Sequence, residues 1–211
     1  VNAGTNGGII MSITIDRTRV RQFTARIFEQ PIARILMRLK IRPIAVTFLG
    51  LMLAGVAAYL VTVNELMWAG VILAISGSLD SIDGALARMS GSASSAGALL
   101  DSVVDRLAEG IVLLGVLILA LDTNDATLVT LVYIAFAGSM LVSYVAARSQ
   151  SLGSQQVVGI MTRPERIIVL TVGLLVGYLT IAIWVIAILA PLTALHRFIH
   201  SWNKLQKDPK P

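Results

Sequence analysis

Residues 80–105 read DSIDGALARMSGSASSAGALLDSVVD, and this stretch lies between two long apolar runs. Its centre, residues 90–95, contains only Ser, Gly and Ala, a composition typical of a turn. An apolar segment of about 20 residues is long enough to cross a bilayer as a helix. The stretch therefore predicts two membrane helices, joined by a short turn, that carry four aspartates.

The four aspartates form two pairs with helical spacing. Asp80 and Asp83 are three residues apart, and Asp101 and Asp105 are four apart, so each pair shares one helix face. The midpoints of the pairs Asp83–Asp101 and Asp80–Asp105 both fall in the turn at 90–95. An antiparallel hairpin therefore places the two residues of each pair at the same height and brings all four carboxylates together. Acidic side chains inside membrane segments are energetically costly and usually functional. We therefore predict one converging acidic site.

A metal site follows from the charge of this cluster. Four facing carboxylates cannot all stay ionised without cations. Carboxylate oxygens, in a chain without cysteine, indicate Mg²⁺, Mn²⁺ or Ca²⁺ rather than zinc. A pair of such ions is typical of phosphate chemistry. We predict that the metal ligands are Asp80, Asp83, Asp101 and Asp105.

Three residues beside the acids point to a phosphate ligand. Gly84 and Gly97 would let a ligand approach the backbone closely. Arg88 can contact a phosphate through two donors. Helix packing is the alternative role for the glycines, because small residues favour close contact between membrane helices.

The composition of the whole chain supports a membrane setting. Of the 211 residues, 56% are hydrophobic and only 14% are charged, with a mean hydropathy of +0.81. A soluble domain has about 25% charged residues, so this composition excludes an ordinary soluble protein. We predict an all-α integral membrane protein with six transmembrane helices. The predicted spans are 43–63, 66–89, 96–121, 126–147 and two within 167–199 that turn near 177–180.

The regions outside these spans complete the predicted organisation. Residues 1–13 are expected to be disordered, and Met11 within them is the expected native start. Residues 14–42 are predicted to form a basic amphipathic juxtamembrane helix, bent at Pro31, on an anionic leaflet. The catalytic domain is predicted at 43–205, with a tail at 206–211. Nucleic-acid binding is excluded, since the basic segment adjoins a span and lacks interleaved aromatics.

Lys and Arg placement predicts the orientation in a cytoplasmic membrane. The connections at 64–65, 122–125 and near 177 contain neither residue. Loops rich in Lys and Arg stay in the cytoplasm. Both termini and the acidic site are therefore expected on the cytoplasmic side.

The spacing of the acidic stretch resembles a known family. The signature D-x2-D-G-x2-A-R-x8-G-x3-D-x3-D of the CDP-alcohol phosphatidyltransferases matches residues 80–105 at every fixed position. The resemblance implies transfer of a phosphatidyl group from CDP-diacylglycerol, or a similar CDP-lipid, to an acceptor hydroxyl, with release of CMP. It implies two Mg²⁺ or Mn²⁺ ions, Asp105 as general base, and a homodimer.

The resemblance also assigns binding residues on both sides of the reaction. CDP and pyrophosphate contacts are implied for Gly84, Arg88, Gly97, Thr47 and Pro43, although Thr47 is alternatively bonded within its own helix. The chain is most similar to the phosphatidylinositol phosphate synthase branch, in which basic residues matching Arg148, Arg163 and Arg197 hold the phosphate of inositol phosphate. Ala146 stands where that branch usually has lysine. Arg166 is assigned to membrane topology through the positive-inside rule, to an ion pair with Glu165 or to a helix cap.

Several alternatives remain open at this point. Glycerol 3-phosphate is the second candidate acceptor and serine the third. A cation- or proton-coupled transporter would also use buried acids, but it does not require Gly84, Arg88 and Gly97. A non-catalytic scaffold ranks last because every signature position is intact.

Overall fold

The computed structural model describes residues 29–154 and 159–207. Within these ranges the chain is helical throughout. The helices are α1 (Gln30–Arg38), α2 (Pro43–Thr62), α3 (Leu66–Met89), α4 (Ser95–Asp122), α5 (Ala126–Ser151), α6 (Arg163–Leu175) and α7 (Leu179–Lys207). Residues 1–13 and most of the predicted amphipathic segment lie outside the described residues. In the described part, Pro31 lies in the first turn of α1, and the predicted bend at Pro31 involves residues outside the described range.

The helix boundaries follow local sequence signals. Pro43 begins α2, where a missing N–H costs nothing. Gly91 has a φ of +68° between α3 and α4, and Ser94 caps α4 by accepting a hydrogen bond from the Gly97 N–H. Gly177, at a φ of +74°, separates α6 from α7. The predicted turns at 90–95 and near 177 are therefore confirmed.

Helix α2 packs against both α3 and α4, and α3 also packs against α1. Helices α5 and α7 pack against each other, and α6 packs against α3 and α7. Within the described residues, α3 and α4 are not a closely packed pair, contrary to a tight helical hairpin. The acidic side chains lie in the gap between α3 and α4, the two helices that carry the motif of residues 80–105.

Four helices are long and apolar enough to cross a membrane: α2, α3, α5 and α7. Helix α4 has sufficient length, 28 residues, but it carries the charged residues of the site. Helix α6 has 13 residues, or about 20 Å at 1.5 Å per residue, less than the roughly 30 Å of hydrocarbon. The structure thus supports a multi-pass membrane protein with four candidate spans. Helix α7 also continues to Lys207, past the predicted end of the domain at 205.

Candidate active site

Three of the four aspartates converge. Carboxylate oxygens of Asp80, Asp101 and Asp105 all lie within 4.8 Å of one another. Asp80 is on α3 and the other two are on α4, so the carboxylates meet across the interval between these helices. Helical spacing places Asp101 and Asp105 on one face of α4, as predicted.

Asp83 lies apart from this group and pairs with α2. Its Oδ2 atom is 2.5 Å from the Thr47 hydroxyl, and that hydroxyl also lies 3.2 Å from the Pro43 carbonyl. Asp83 is buried and lines the same cavity as Thr47, Asp80 and Asp105. The prediction placed all four carboxylates together, whereas in the structure three form a cluster and that of Asp83 lies beside it. Thr47 makes both the bond within its own helix and a contact with the site.

Arg163, at the start of α6, reaches into the acidic cluster. Its Nη1 atom lies 2.7 Å from Asp80 Oδ2 and 2.8 Å from Asp105 Oδ2. Its Nε atom is buried and makes no hydrogen bond within the described part of the chain. Arg163 is thus a cation beside the aspartates with one buried donor left unpaired within the described residues.

The two signature glycines, Gly84 and Gly97, have no atom of another helix within 4 Å of an added Cβ. A Cβ added at Gly84 would meet only the end of the Arg88 side chain, at 3.3 Å, and one at Gly97 would meet only Ser94 Oγ, at 3.2 Å. Neither glycine is pressed against another helix, so packing does not explain them. The Arg88 guanidinium lies over Gly84 and is exposed. Both positions suit the approach of a ligand.

The three arginines predicted to hold the acceptor do not line one cavity. Only Arg163 lines the cavity of the aspartates. Arg197 is buried, and its Nη1 atom donates to the Val142 carbonyl at 3.0 Å. Arg148 is exposed on α5 and lines a mostly apolar groove with Tyr144, Phe198 and Trp202.

A buried ion pair was missed from the sequence. Arg166 on α6 makes a side-on contact with Glu109 on α4, with Nε–Oε1 at 2.6 Å and Nη2–Oε2 at 2.7 Å. The two side chains are 1% and 3% exposed. The sequence analysis did not predict this partner for Arg166, since helix spacing cannot show a contact across 57 residues. The available signal was Glu109 itself, an acid in an apolar run four residues after Asp105.

The cluster of Asp80, Asp101 and Asp105 fits a hard divalent cation. Oxygen ligands of carboxylates are those that Mg²⁺ and Mn²⁺ prefer. Within the described residues, Asp101 Oδ1 is buried and has no hydrogen-bond partner. A buried carboxylate oxygen without a partner is costly, and a metal ion would satisfy it. The residues present therefore suit the predicted metal.

Two inositol phosphate-type synthases are similar to this chain in sequence. An archaetidylinositol phosphate synthase of Pyrococcus horikoshii is 35% identical over 84% of this chain and 94% of that protein. A phosphatidylinositol phosphate synthase of Corynebacterium glutamicum is 32% identical over 83% of this chain and 84% of that protein.

Solved structures of the phosphatidylinositol phosphate synthase of Mycobacterium tuberculosis show the same fold. The structure with CDP-DAG bound has a TM-score of 0.77 and 30% identity, and covers 83% of this chain and 94% of that one. The structure in complex with manganese and citrate also has a TM-score of 0.77 and 30% identity, over 83% of this chain and 89% of that one. Residues 40–197 match the family model of the CDP-alcohol phosphatidyltransferases. The chain therefore belongs to the CDP-alcohol phosphatidyltransferase family.

Proposed function

We propose that this enzyme transfers the lipid phosphate group of CDP-diacylglycerol, or a similar CDP-lipid, to a hydroxyl of inositol phosphate and releases CMP. The observation that carries the proposal is the cluster of three carboxylates with Arg163 in contact. The names of the archaeal and bacterial relatives support inositol phosphate as the acceptor. The bound CDP-DAG of the mycobacterial neighbour supports the donor.

The reaction replaces the phosphoanhydride bond of the CDP-lipid by a phosphate ester of the acceptor. The acceptor hydroxyl oxygen attacks the phosphorus that carries the lipid, and a new P–O bond forms. The bridging P–O bond of the pyrophosphate breaks, and its electron pair leaves with CMP. Asp105 takes the hydroxyl proton as general base. Two Mg²⁺ or Mn²⁺ ions, held by the aspartates, would offset charge on the pyrophosphate and on the leaving CMP.

The donor is assigned to the open side of α3 and α4. Gly84 and Gly97 allow the pyrophosphate to lie against the helices, and Arg88 offers it two donors. Thr47 orients Asp83 through their hydrogen bond, and Pro43 fixes the start of α2 beneath Thr47. Asp83 completes the metal-ligand set by joining Asp80, Asp101 and Asp105 from the adjoining wall of the cavity.

The acceptor phosphate is assigned to the arginines beyond the aspartates. Arg163 is the principal contact because it lies beside Asp105 and keeps a free Nε donor. Arg148 and Arg197 are assigned supporting roles from the family resemblance. A planar guanidinium recognises phosphate through two parallel hydrogen bonds.

The membrane arrangement is also proposed. Adding α4 and α6 to the four candidate spans gives six crossings. The connections after α2, α4 and α6 contain no Lys or Arg, which supports an active site and both termini on the cytoplasmic side of the inner membrane. The homodimer rests on the family resemblance alone.

A competition among acceptors tests the proposed function. Purified enzyme in detergent is given a CDP-lipid and Mn²⁺, and CMP release is measured with inositol phosphate, glycerol 3-phosphate or serine. Inositol phosphate should give the highest kcat/KM. Faster CMP release with glycerol 3-phosphate would overturn the acceptor assignment. The absence of CMP release with every acceptor would overturn the transferase itself.

A further inference from the structure

Two ion pairs connect α4 to α6, one above the other. Asp105 and Glu109 are four residues apart on α4, and Arg163 and Arg166 are three apart on α6. Such spacings place each pair of residues on one helix face. Arg163 meets Asp105, and Arg166 meets Glu109 one turn further along. Within the described residues, α4 and α6 are not a closely packed pair, so these side chains supply the contact between them.

The two pairs differ in how completely they are satisfied. Both carboxylate oxygens of Glu109 accept from Arg166, which also donates to the Met161 carbonyl at 3.2 Å. This pair is almost fully buried, whereas Arg163 is 21% exposed and has an unused Nε donor. A buried pair with complementary, two-point geometry resists separation, because each charge left alone would be uncompensated.

The Arg166 contact also fixes the segment that leads into α6. The Met161 carbonyl accepts from Arg166, and the Met161 N–H donates to the Thr193 hydroxyl of α7 at 3.3 Å. Arg163 begins α6 two residues later, after Thr162. Met161 is therefore held through Arg166 to Glu109 on α4 and directly to Thr193 on α7. These contacts fix the backbone at Arg163.

We propose that the Glu109–Arg166 pair is a positioning element that holds Arg163 opposite Asp105 for contact with the acceptor phosphate. Neither Glu109 nor Arg166 touches the reacting atoms, and both act through the placement of α6. The inference rests on the proposed function, since Arg163 is the principal acceptor contact there. A displacement of about 1 Å can cost about 100-fold in rate, so a loosened α6 should be visible in kinetics.

The test is a double-mutant cycle on the acceptor KM. Glu109→Gln should raise the KM for inositol phosphate about 10-fold and leave the KM for the CDP-lipid unchanged. In an Arg163→Lys background, the same Glu109→Gln change should have less than about a two-fold effect, because the residue being positioned is already altered. Thr171→Val is the matched control on α6, since its buried hydroxyl makes no hydrogen bond within the described residues. It should change neither KM.

The outcomes separate this inference from the proposed function. No CMP release by the wild-type enzyme would refute the proposed function. An active wild type in which Glu109→Gln acts equally in both backgrounds, or shifts both KM values alike, would refute positioning. Arg166→Lys, which keeps the charge but loses the two-point contact, repeats the test if Glu109→Gln does not fold. If neither variant folds, the pair is a requirement of the fold and the positioning role is rejected.

Discussion

The glycines beside the aspartates and the glycines at the opposite end of the bundle have contrasting surroundings. An added Cβ at Gly84 or Gly97 would meet only the tip of a nearby side chain. An added Cβ at Gly115 would lie 2.6 Å from the Ala58 carbonyl, and one at Gly70 would lie 2.9 Å from the Leu175 nitrogen. The same residue type thus lies away from other helices at one end of the bundle and in close contact with a neighbouring helix at the other.

This contrast separates the two interpretations that the sequence left open. Small residues in membrane helices usually allow close packing, and Gly115 on α4 fits that description, since it lies against Ala58 of α2. The signature glycines do not, because no neighbouring helix backbone lies near them. Their surroundings favour the proposal that they leave space for a ligand beside the acidic cluster.

Gly84→Ala should give the larger effect on activity. The added methyl enters the space assigned to the pyrophosphate, so kcat/KM for the CDP-lipid should fall by about 100-fold. Stability should hold or rise, because alanine in a helix is favoured over glycine by about 1 kcal/mol. Steady-state CMP release and thermal unfolding followed by circular dichroism measure the two effects. A loss of stability with unchanged kinetics would return Gly84 to a packing role.

Gly115→Ala should give the smaller effect, and on stability alone. The new Cβ would force α4 away from α2, at a cost of about 1–3 kcal/mol. Gly55→Ala, on α2, is the matched control, because nothing lies within 4 Å of its added Cβ. The unfolding temperature should fall for Gly115→Ala and not for Gly55→Ala. Equal unfolding temperatures for these two variants would show that the close approach at Ala58 relaxes freely.

The sequence alone predicts the features that depend on the local spacing of residues. The turn at 90–95, the start of α2 at Pro43 and the shared face of Asp101 and Asp105 follow from turn residues and helical periodicity. The fixed spacing of residues 80–105 was enough to identify the family.

The features that depend on helix separation were not predictable in this way. Periodicity shows which face a residue shares, but not how far apart two helices lie. It therefore placed Asp83 with the other acids, whereas the spacing of α3 and α4 leaves Asp83 against Thr47. The Glu109–Arg166 pair joins residues far apart in the chain, so no local pattern records it. The same limit applies to Arg148 and Arg163, because periodicity does not show that they line different cavities.

The most direct test of the account is CMP release by chelator-treated enzyme as Mn²⁺ is added back, compared for the wild type and Asp105→Asn. Without metal, the wild type should release no CMP, and added Mn²⁺ should restore turnover with inositol phosphate. Asp105→Asn should remain at least about 100-fold slower at saturating Mn²⁺, since a general base contributes about 10²–10⁴-fold. Metal-independent CMP release, or full activity of Asp105→Asn, would contradict the assignment of the aspartate cluster as the catalytic centre.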